Sequence, residues 1–243
     1  MPEEERRYTD ILVSAFDLNN ISTNLVPRYQ RIHDPKNLHT EKFEALARIE
    51  HLREDGKIEI LTPDKFIDIA THKRWLSDIT MSMLRQIISD LEKYPDLQVS
   101  INLHEQDWND DRIMVALRSI HLEGRIDVRR ISLEILETVP FDRVEDIKKI
   151  QELKAHGFQI SIDDYGENNS NLKKVMLITP HNIKIDRIII EKLNDDEFKE
   201  GAIAAIRSVV LHAKEIGATV TAEYIETEEV FRLVQNLGVR YFQ

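Results

Sequence analysis

Cysteine is absent from this 243-residue sequence, which excludes disulfide bonds, thiolate metal sites and cysteine nucleophiles. Any metal ion must therefore be bound by oxygen or imidazole ligands. Glycine and proline are scarce, at seven residues each, and so a collagen-like or low-complexity chain is also excluded. With 42% hydrophobic residues, the composition is that of a globular protein with a sizeable core.

Long apolar runs are missing as well. No run approaches the roughly 20 residues that span a bilayer, and the N-terminal sequence MPEEERRYTD lacks the apolar core of a signal peptide. We therefore expect a cytoplasmic protein without direct membrane insertion. The 33 basic residues are outnumbered by 44 acidic ones, and the formal net charge of -11 argues against binding of duplex nucleic acid. A small anionic ligand would need a local cation.

Short apolar runs alternate with longer amphipathic segments, a pattern that predicts strand and helix units around a parallel sheet. The glycine-rich turns of open dinucleotide or nucleotide folds, GxGxxG and GxxxxGK, are absent, which favours an α/β fold closed as a TIM-like (β/α)8 barrel. We expect a leader or linker over residues 1–20 and the barrel over residues 21–243. The predicted strands are Leu25–Ile32, Phe43–Ile49, Leu97–Leu103, Arg129–Ile135, Phe158–Asp163, Asn182–Ile185, Ala218–Glu223 and Val239–Phe242. The predicted helices are Asp64–Tyr94, Asp110–Leu122, Phe141–His156, Glu200–Ile216 and Thr227–Leu237.

Ionisable and amide side chains interrupt these apolar strands, mostly toward their carboxyl ends. In a parallel barrel those ends meet at one mouth, where the active sites of this architecture lie. A lone acid at a strand end usually only meets water, but the same placement on six strands predicts a functional site. The residues concerned are Glu44, Asn102, Glu134, Asp163, Asp164, Lys184 and Glu223.

The charges of this set predict metal binding. Five carboxylates face the single cation of Lys184, and two divalent cations would neutralise the four negative charges that remain. Carboxylate and amide oxygens are hard donors, so we expect Mg or Mn, with Ca as a non-catalytic substitute. Paired metal ions are a known device for in-line displacement at phosphorus. The nine histidines fall outside the acid set, and we interpret them as surface residues.

At this point the sequence resembles a known family, the EAL-domain cyclic di-GMP phosphodiesterases, from about Leu25 to Gln243. In this order and spacing the shared motifs are highly specific. They are Glu44-Ala45-Leu46 with Arg48, Asn102-Leu103, the LExxE element Leu133 to Glu137, Asp163-Asp164, Lys184-Ile185-Asp186-Arg187, and Ala222-Glu223 with Glu226-Thr227.

The resemblance implies a role for each matching residue. It implies two divalent cations, Mg or Mn with Ca inhibitory, and cyclic di-GMP as substrate. It also implies homodimers, and fusion to sensory or GGDEF domains is an expectation of the same kind. The implied metal ligands are Glu44, Asn102, Glu134 and Asp163 for one ion, with Asp163 bridging to a second ion held by Asp164 and Glu223. Three residues are implied to be catalytic: Lys184 would orient the attacking water, Glu223 would act as a metal ligand, and Glu137 would steady the loop after Asp163 and Asp164. Arg48 and Gln243 would contact the substrate.

The sequence departs from the family pattern in several places, one of them Leu136, which stands where the LExxE element usually has threonine. The loop after Asp164 usually reads close to DFGTGYSS, but here its second glycine and tyrosine are Asn168 and Asn169. Tyr224 replaces the usual glycine after Glu223, and the sequence stops at Gln243, before the tail that closes the barrel in the family. Two functions therefore stay open: a phosphodiesterase that produces pGpG, and a catalytically weak or inactive receptor for cyclic di-GMP. A barrel that only serves as a scaffold is disfavoured, because clustered acids destabilise a fold unless a cation offsets them.

Overall fold

The structure is a computed structural model, and it describes residues 3–17, 19–37, 39, 41–136, 139, 141, 143–165 and 171–243, with only the backbone at 41, 171 and 172. Within these residues the strands, in chain order, are β1 (Thr23–Ile32), β2 (Glu41–Leu52), β3 (Ile58–Leu61), β4 (Leu97–Leu103), β5 (Ile131–Ile135), β6 (Gln159–Tyr165), β7 (Asn182–Ile185), β8 (Thr219–Ala222) and β9 (Tyr241–Phe242). The helices are α1 (Glu3–Phe16), α2 (Pro63–Lys73), α3 (Leu76–Lys93), α4 (Glu105–Trp108), α5 (Asp111–Glu123), α6 (Val144–His156), α7 (Asn171–Ile178), α8 (Arg187–Glu191), α9 (Lys199–Glu215) and α10 (Glu228–Asn236).

The chain divides into two compact units. Unit 1 comprises Met1–Gln30, Glu44–Pro95 and Gln106–Ile126, and unit 2 comprises Arg31–Phe43, Asp96–Glu105 and Asp127–Gln243. A search of the described residues finds no helix with both the length and the apolar character needed to cross a membrane.

Unit 1 contains the α1, α2 and α3 helices, which contact one another, and an antiparallel ribbon of β2 and β3. In this ribbon Ile49 lies opposite Leu61, and both side chains are buried. The sequence pattern does not predict β3. With only four residues, β3 is too short for an alternating pattern to be distinguished from a loop. Ile58 and Ile60, its first and third residues, are exposed on the outer face.

The predicted helix Asp64–Tyr94 is wrong in one respect, because the structure divides it into α2 and α3. Arg74 adopts the left-handed conformation (φ 60°), and its backbone N–H donates to the carbonyls of Ala70 and Thr71, which ends α2. No glycine or proline marks this break. Both helices bury an apolar face, and so the helical periodicity of apolar residues continues across the break at Arg74.

Unit 2 is built on six parallel strands in the order β4-β5-β6-β7-β8-β9. Along each strand, large apolar side chains alternate with polar ones, so one face is apolar and the other polar. The apolar face is buried and includes Ile101, Leu103, Ile131, Leu133, Ile160, Ile162, Ile183, Ile185 and Val220. The polar face carries Ser100, Asn102, Ser132, Glu134, Ser161, Asp163, Asn182, Lys184 and Thr221.

The strands predicted in unit 2 are present, and three of them are shorter than predicted, among them β8, which spans Thr219–Ala222 instead of Ala218–Glu223. Val128–Arg130 is a 3-10 turn rather than the start of β5, because the Asp127 carboxylate accepts the backbone N–H of Arg129 at 3.0 Å. The last strand begins at Tyr241 instead of Val239. The predicted helix end at His156 is confirmed, and the next residue, Gly157, has a φ of 104° and a position where a Cβ would lie 3.3 Å from Cγ2 of Val128.

Candidate functional site

Lys184 lies at the centre of a buried charge cluster in unit 2. Its Nζ atom is 2.8 Å from Oε2 of Glu134, 3.0 Å from Oδ1 of Asp163 and 2.6 Å from Oε1 of Glu223. Lys184 and Glu134 are each 1% exposed. The four residues come from β5, β6, β7 and the residue after β8, and so the parallel order of these strands brings them together. The predicted meeting of polar side chains at the carboxyl ends is therefore confirmed for these four.

A β-bulge in β6 adds a further carboxylate to this cluster. Ile162 pairs with Ile183 and Tyr165 with Ile185, and so two residues, Asp163 and Asp164, lie opposite one residue of β7. Asp164 adopts the left-handed conformation, with φ of 55°. In a regular strand, consecutive side chains would point to opposite faces. Here carboxylate oxygens of Asp163, Asp164 and Glu223 lie within 4.8 Å of one another.

This group has the composition of a divalent metal site. Glu134, Asp163, Asp164 and Glu223 bring four carboxylates to one lysine, and the formal charge of the five side chains is about -3. Negative charges this close repel one another unless a cation lies among them. The donors are hard oxygens, partly buried, and they suit Mg or Mn better than a metal that prefers sulfur or nitrogen. The residues present therefore fit the expected ions.

Two more predicted residues of unit 2 lie beside the cluster. Asn102 on β4 pairs in register with Glu134 on β5. At Gln243 the backbone N–H donates to the carbonyl of Ala222 at 3.0 Å, and its carbonyl accepts the N–H of Ile225 at 3.1 Å. These bonds hold the Gln243 backbone next to the strand end that carries Glu223.

The other predicted residues have different outcomes. Glu44 and Arg48 belong to β2 in unit 1; Glu44 is 5% exposed, and the Arg48 guanidinium donates to the carbonyl of Ala47 at 2.8 Å. Their participation in the site stays a prediction. Glu137 lies outside the described residues, as does the altered loop segment 166–170.

Tyr224 occupies a backbone conformation that favours glycine. Tyr224 has a φ of 57°, a conformation that glycine adopts without strain and tyrosine rarely adopts. Its ring packs against the guanidinium of Arg187, 4.8 Å from the ring centroid, and 39% of the residue is exposed. Strained backbone next to functional groups is common at active sites. The ring of Tyr224, the residue next in sequence to Glu223, therefore packs on Arg187.

His104 and His181, two of the nine histidines, are half-buried. Burial lowers the pKa of His104, and burial together with the charge of Lys154 lowers the pKa of His181. The Nδ1 atom of His181 accepts the backbone N–H of Ile160 at 2.9 Å. Neither residue belongs to the carboxylate cluster.

Comparison with known proteins gives consistent matches. Residues 15–243 match the family model described as EAL domain. The Probable cyclic di-GMP phosphodiesterase PdeA of Escherichia coli is 27% identical over 205 residues, which cover 82% of this chain and 27% of the relative. The chain spans about a quarter of the length of the curated relatives it matches.

Solved structures agree with the expected fold. The FimX EAL domain of Xanthomonas citri, in complex with c-diGMP, superposes with a TM-score of 0.83 at 17% identity, over 99% of this chain and 92% of that one. The YkuI protein of Bacillus subtilis, in complex with c-di-GMP and calcium, gives a TM-score of 0.76 at 26% identity, over 97% and 56%. The prediction of an α/β fold of the TIM-like (β/α)8 type is thereby confirmed.

Proposed function

The chain belongs to the EAL-domain family, and from that membership we propose that it is a metal-dependent phosphodiesterase that hydrolyses cyclic di-GMP to pGpG in bacterial second-messenger signalling. Relatives named as cyclic di-GMP phosphodiesterases support the activity. The observation that carries the proposal is the cluster around Lys184, in which three carboxylates surround one buried ammonium group. Acids gathered in this way can hold divalent cations, which would offset the negative charge of a phosphodiester.

We propose that Asp163, Asp164 and Glu223 hold one divalent cation, and that Asp163 also contributes to a second one with Glu44, Asn102 and Glu134. The proximity of the first three carboxylates supports this assignment. Bound Mg or Mn ions would lower the pKa of water and offset negative charge at the phosphodiester. Ca is expected to bind the same oxygens without supporting turnover, because its larger and more flexible coordination positions the reactants poorly.

Lys184 is the proposed orienting group for the attacking water. Its position among three acids fixes the ammonium group, and a buried N–H donor can align a lone pair of the water. In the reaction the water oxygen forms a new bond to phosphorus, the bond from phosphorus to the 3′ oxygen breaks, and that oxygen takes up a proton. One such step opens the ring and gives pGpG with a 5′ phosphate.

The remaining assignments rest on motif positions. Arg48 is the proposed contact of a substrate phosphate, because its planar fork can donate two hydrogen bonds to an oxyanion. Gln243 is proposed to contact substrate beside Glu223, and Glu137 to steady the loop after Asp164. A cytoplasmic location, a homodimer and fusion to sensory or GGDEF domains stay predictions for the full-length protein.

The second candidate function is a receptor that binds cyclic di-GMP without turnover. Asn168 and Asn169 favour it, since they replace the glycine and tyrosine of the family pattern in the loop that follows the proposed metal ligands Asp163 and Asp164. A loop with different backbone preferences can leave binding intact while misplacing a metal ligand.

One assay separates the two functions. Purified protein with cyclic di-GMP and either Mg or Mn should produce pGpG, and replacement by Ca should suppress the product. Glu44→Ala should abolish the reaction, whereas Glu54→Ala, at an exposed residue of the same unit, should leave it unchanged. Binding of intact dinucleotide with both metals, without any pGpG, would establish the receptor function instead.

A further inference from the structure

A second polar site lies in unit 2 at the amino-terminal ends of its strands, at the opposite edge of the sheet from the carboxylate cluster. It is a cavity of about 240 Å³, partly open to solvent. Three of its lining residues are cationic: Lys42, Arg129 and Arg130. Among the residues described as lining it, none is Asp or Glu. The chain as a whole has a formal net charge of -11, whereas the described lining of this cavity contains three cationic residues and no acid. The charge of the cavity lining is therefore opposite in sign to that of the chain.

Lys42 is the cation available to a ligand. Its Nζ lies 4.4 Å from the centroid of the Tyr241 ring, and the side chain is half-buried. Within the described part of the chain this ammonium group has no hydrogen bond and no ion pair. The charges of two acids act on Lys42, and each acid has another basic partner: Glu134 is paired with Lys184, and Asp34 is bound through both carboxylate oxygens by Arg240. A cation that keeps only an aromatic contact at a cavity wall is suited to bind an anion.

Two neutral donors complete the wall. Ser132 is 7% exposed, lines the cavity and has no side-chain hydrogen bond among the residues that the structure describes. His181 also lines it, and its Nδ1 accepts a backbone N–H, so in the neutral ring the remaining N–H is on Nε2. Serine hydroxyl and imidazole N–H groups both donate to oxyanions.

Hydrogen bonds fix the side chain of Asn182, which lines the cavity, and this favours a preformed binding site. The Asn182 amide donates to Oγ of Ser161 at 3.0 Å and accepts from the hydroxyls of Thr219 and Thr221 at 2.9 and 3.1 Å. Arg129 is already bound by Asp127 at 2.8 Å and supplies only long-range positive potential.

We propose that this cavity binds a small oxyanion of the phosphate class, with Lys42 supplying the charge and Ser132 and His181 supplying hydrogen bonds. The volume exceeds that of a phosphate group, and so the site accepts either free phosphate or the phosphate end of a small monoester. The site uses none of the proposed catalytic residues, and therefore its test is independent of cyclic di-GMP hydrolysis.

The test is calorimetric titration of the full chain with inorganic phosphate, at constant ionic strength and with Mg present. We expect saturable binding to one site. Lys42→Met should weaken it by about 10-fold or more, and Ser132→Ala by a smaller factor, because a charge-assisted contact is stronger than a neutral one. Lys57→Met, at an exposed lysine, is the matched control and should bind like the wild type. Unchanged binding in Lys42→Met, or no saturable binding in the wild type, would overturn the proposal.

Two further measurements distinguish this cavity from the carboxylate cluster and from nonspecific binding. Asp164→Asn should retain phosphate binding; loss in this variant would place the phosphate on the metal ions and overturn the proposal. In the unmodified chain, phosphate should shift the ring ¹⁵N signals of His181 and leave those of exposed His33 unchanged, and equal shifts would contradict the site. Titration with glycerol 3-phosphate then identifies the source: tighter binding than phosphate indicates a monoester, and equal or weaker binding indicates the free ion.

Discussion

The ammonium nitrogen of Lys184 lies 2.8 Å from Oε2 of Glu134, and both residues are 1% exposed. A buried ion pair contributes little net stability, because desolvation of both charges offsets their attraction. Loss of one partner is costly, since the other charge stays buried and uncompensated. Lys184 has three acidic partners, and its loss therefore affects three carboxylates at once.

Lys184→Met should lower the free energy of unfolding by about 3 kcal/mol in metal-free buffer. Mg should recover part of this loss, because a dication can offset the carboxylates that the lysine no longer contacts. Urea denaturation with EDTA and with saturating Mg measures both values, and Lys57→Met serves as the exposed control. Equal losses under both conditions would contradict metal binding at these acids.

Asp164→Asn should remove most of the stabilisation that Mg gives. A ligand at about 100 times its dissociation constant stabilises the folded state by about 2.7 kcal/mol. The wild type should therefore show a clear rise in Tm with Mg concentration, while Asp164→Asn should show a small one. Thermal denaturation over a Mg series is the measurement, with Asp10→Asn as the control at an exposed acid. Matching curves for the two variants would exclude Asp164 as a ligand.

The double substitution Asn168→Gly with Asn169→Tyr should raise the kcat of cyclic di-GMP hydrolysis. It restores the family pattern after Asp163 and Asp164, the proposed metal ligands, and glycine adopts backbone conformations that asparagine adopts less readily. Steady-state kinetics with Mg provides the measurement. Unchanged kcat would show that this segment does not limit turnover.

Asp34 should make stability depend on pH in the acidic range. Burial alone would raise its pKa, but hydrogen bonds from Arg240 and from the backbone amides of Lys36 and Asn37 outweigh burial and lower it. A carboxyl with a lowered pKa contributes stability above its unfolded pKa of about 3.9, and that stability is lost as the pH falls through the folded pKa.

Asp34→Asn should therefore lower the free energy of unfolding by about 2 kcal/mol at neutral pH. The difference from the wild type should begin to shrink as the pH falls below about 4 and should be lost below the lowered folded pKa, where Asp34 is protonated in both states. Urea denaturation of both proteins across this range tests the sign. A difference that grows toward low pH would refute the stabilising pair with Arg240.

The sequence predicted the charge cluster because its members obey a regular rule. Glu134 and Lys184 each follow apolar residues near the carboxyl end of a parallel strand, and alternation places them on the face opposite the buried Leu133 and Ile183. The break at Arg74 was not predictable, because arginine carries no signal for a left-handed conformation and the apolar periodicity continues beyond it. The Lys42 cavity was also missed, since its lining residues come from the starts of many separate strands.

The bulge at Asp163 and Asp164 could not be predicted from the sequence pattern, because strict alternation assigns neighbouring residues to opposite faces of the sheet. The backbone, rather than any side-chain rearrangement, directs both carboxylates to one side. Two donors of the proposed metal site are thus held in place before an ion binds. The entropy cost of ion binding therefore does not include bringing these two ligands together. A metal ion should therefore bind rapidly at the carboxyl ends of these strands. The preference for one metal over another should depend on the distance between the two carboxylates, which is set by the hydrogen bonds between β6 and β7.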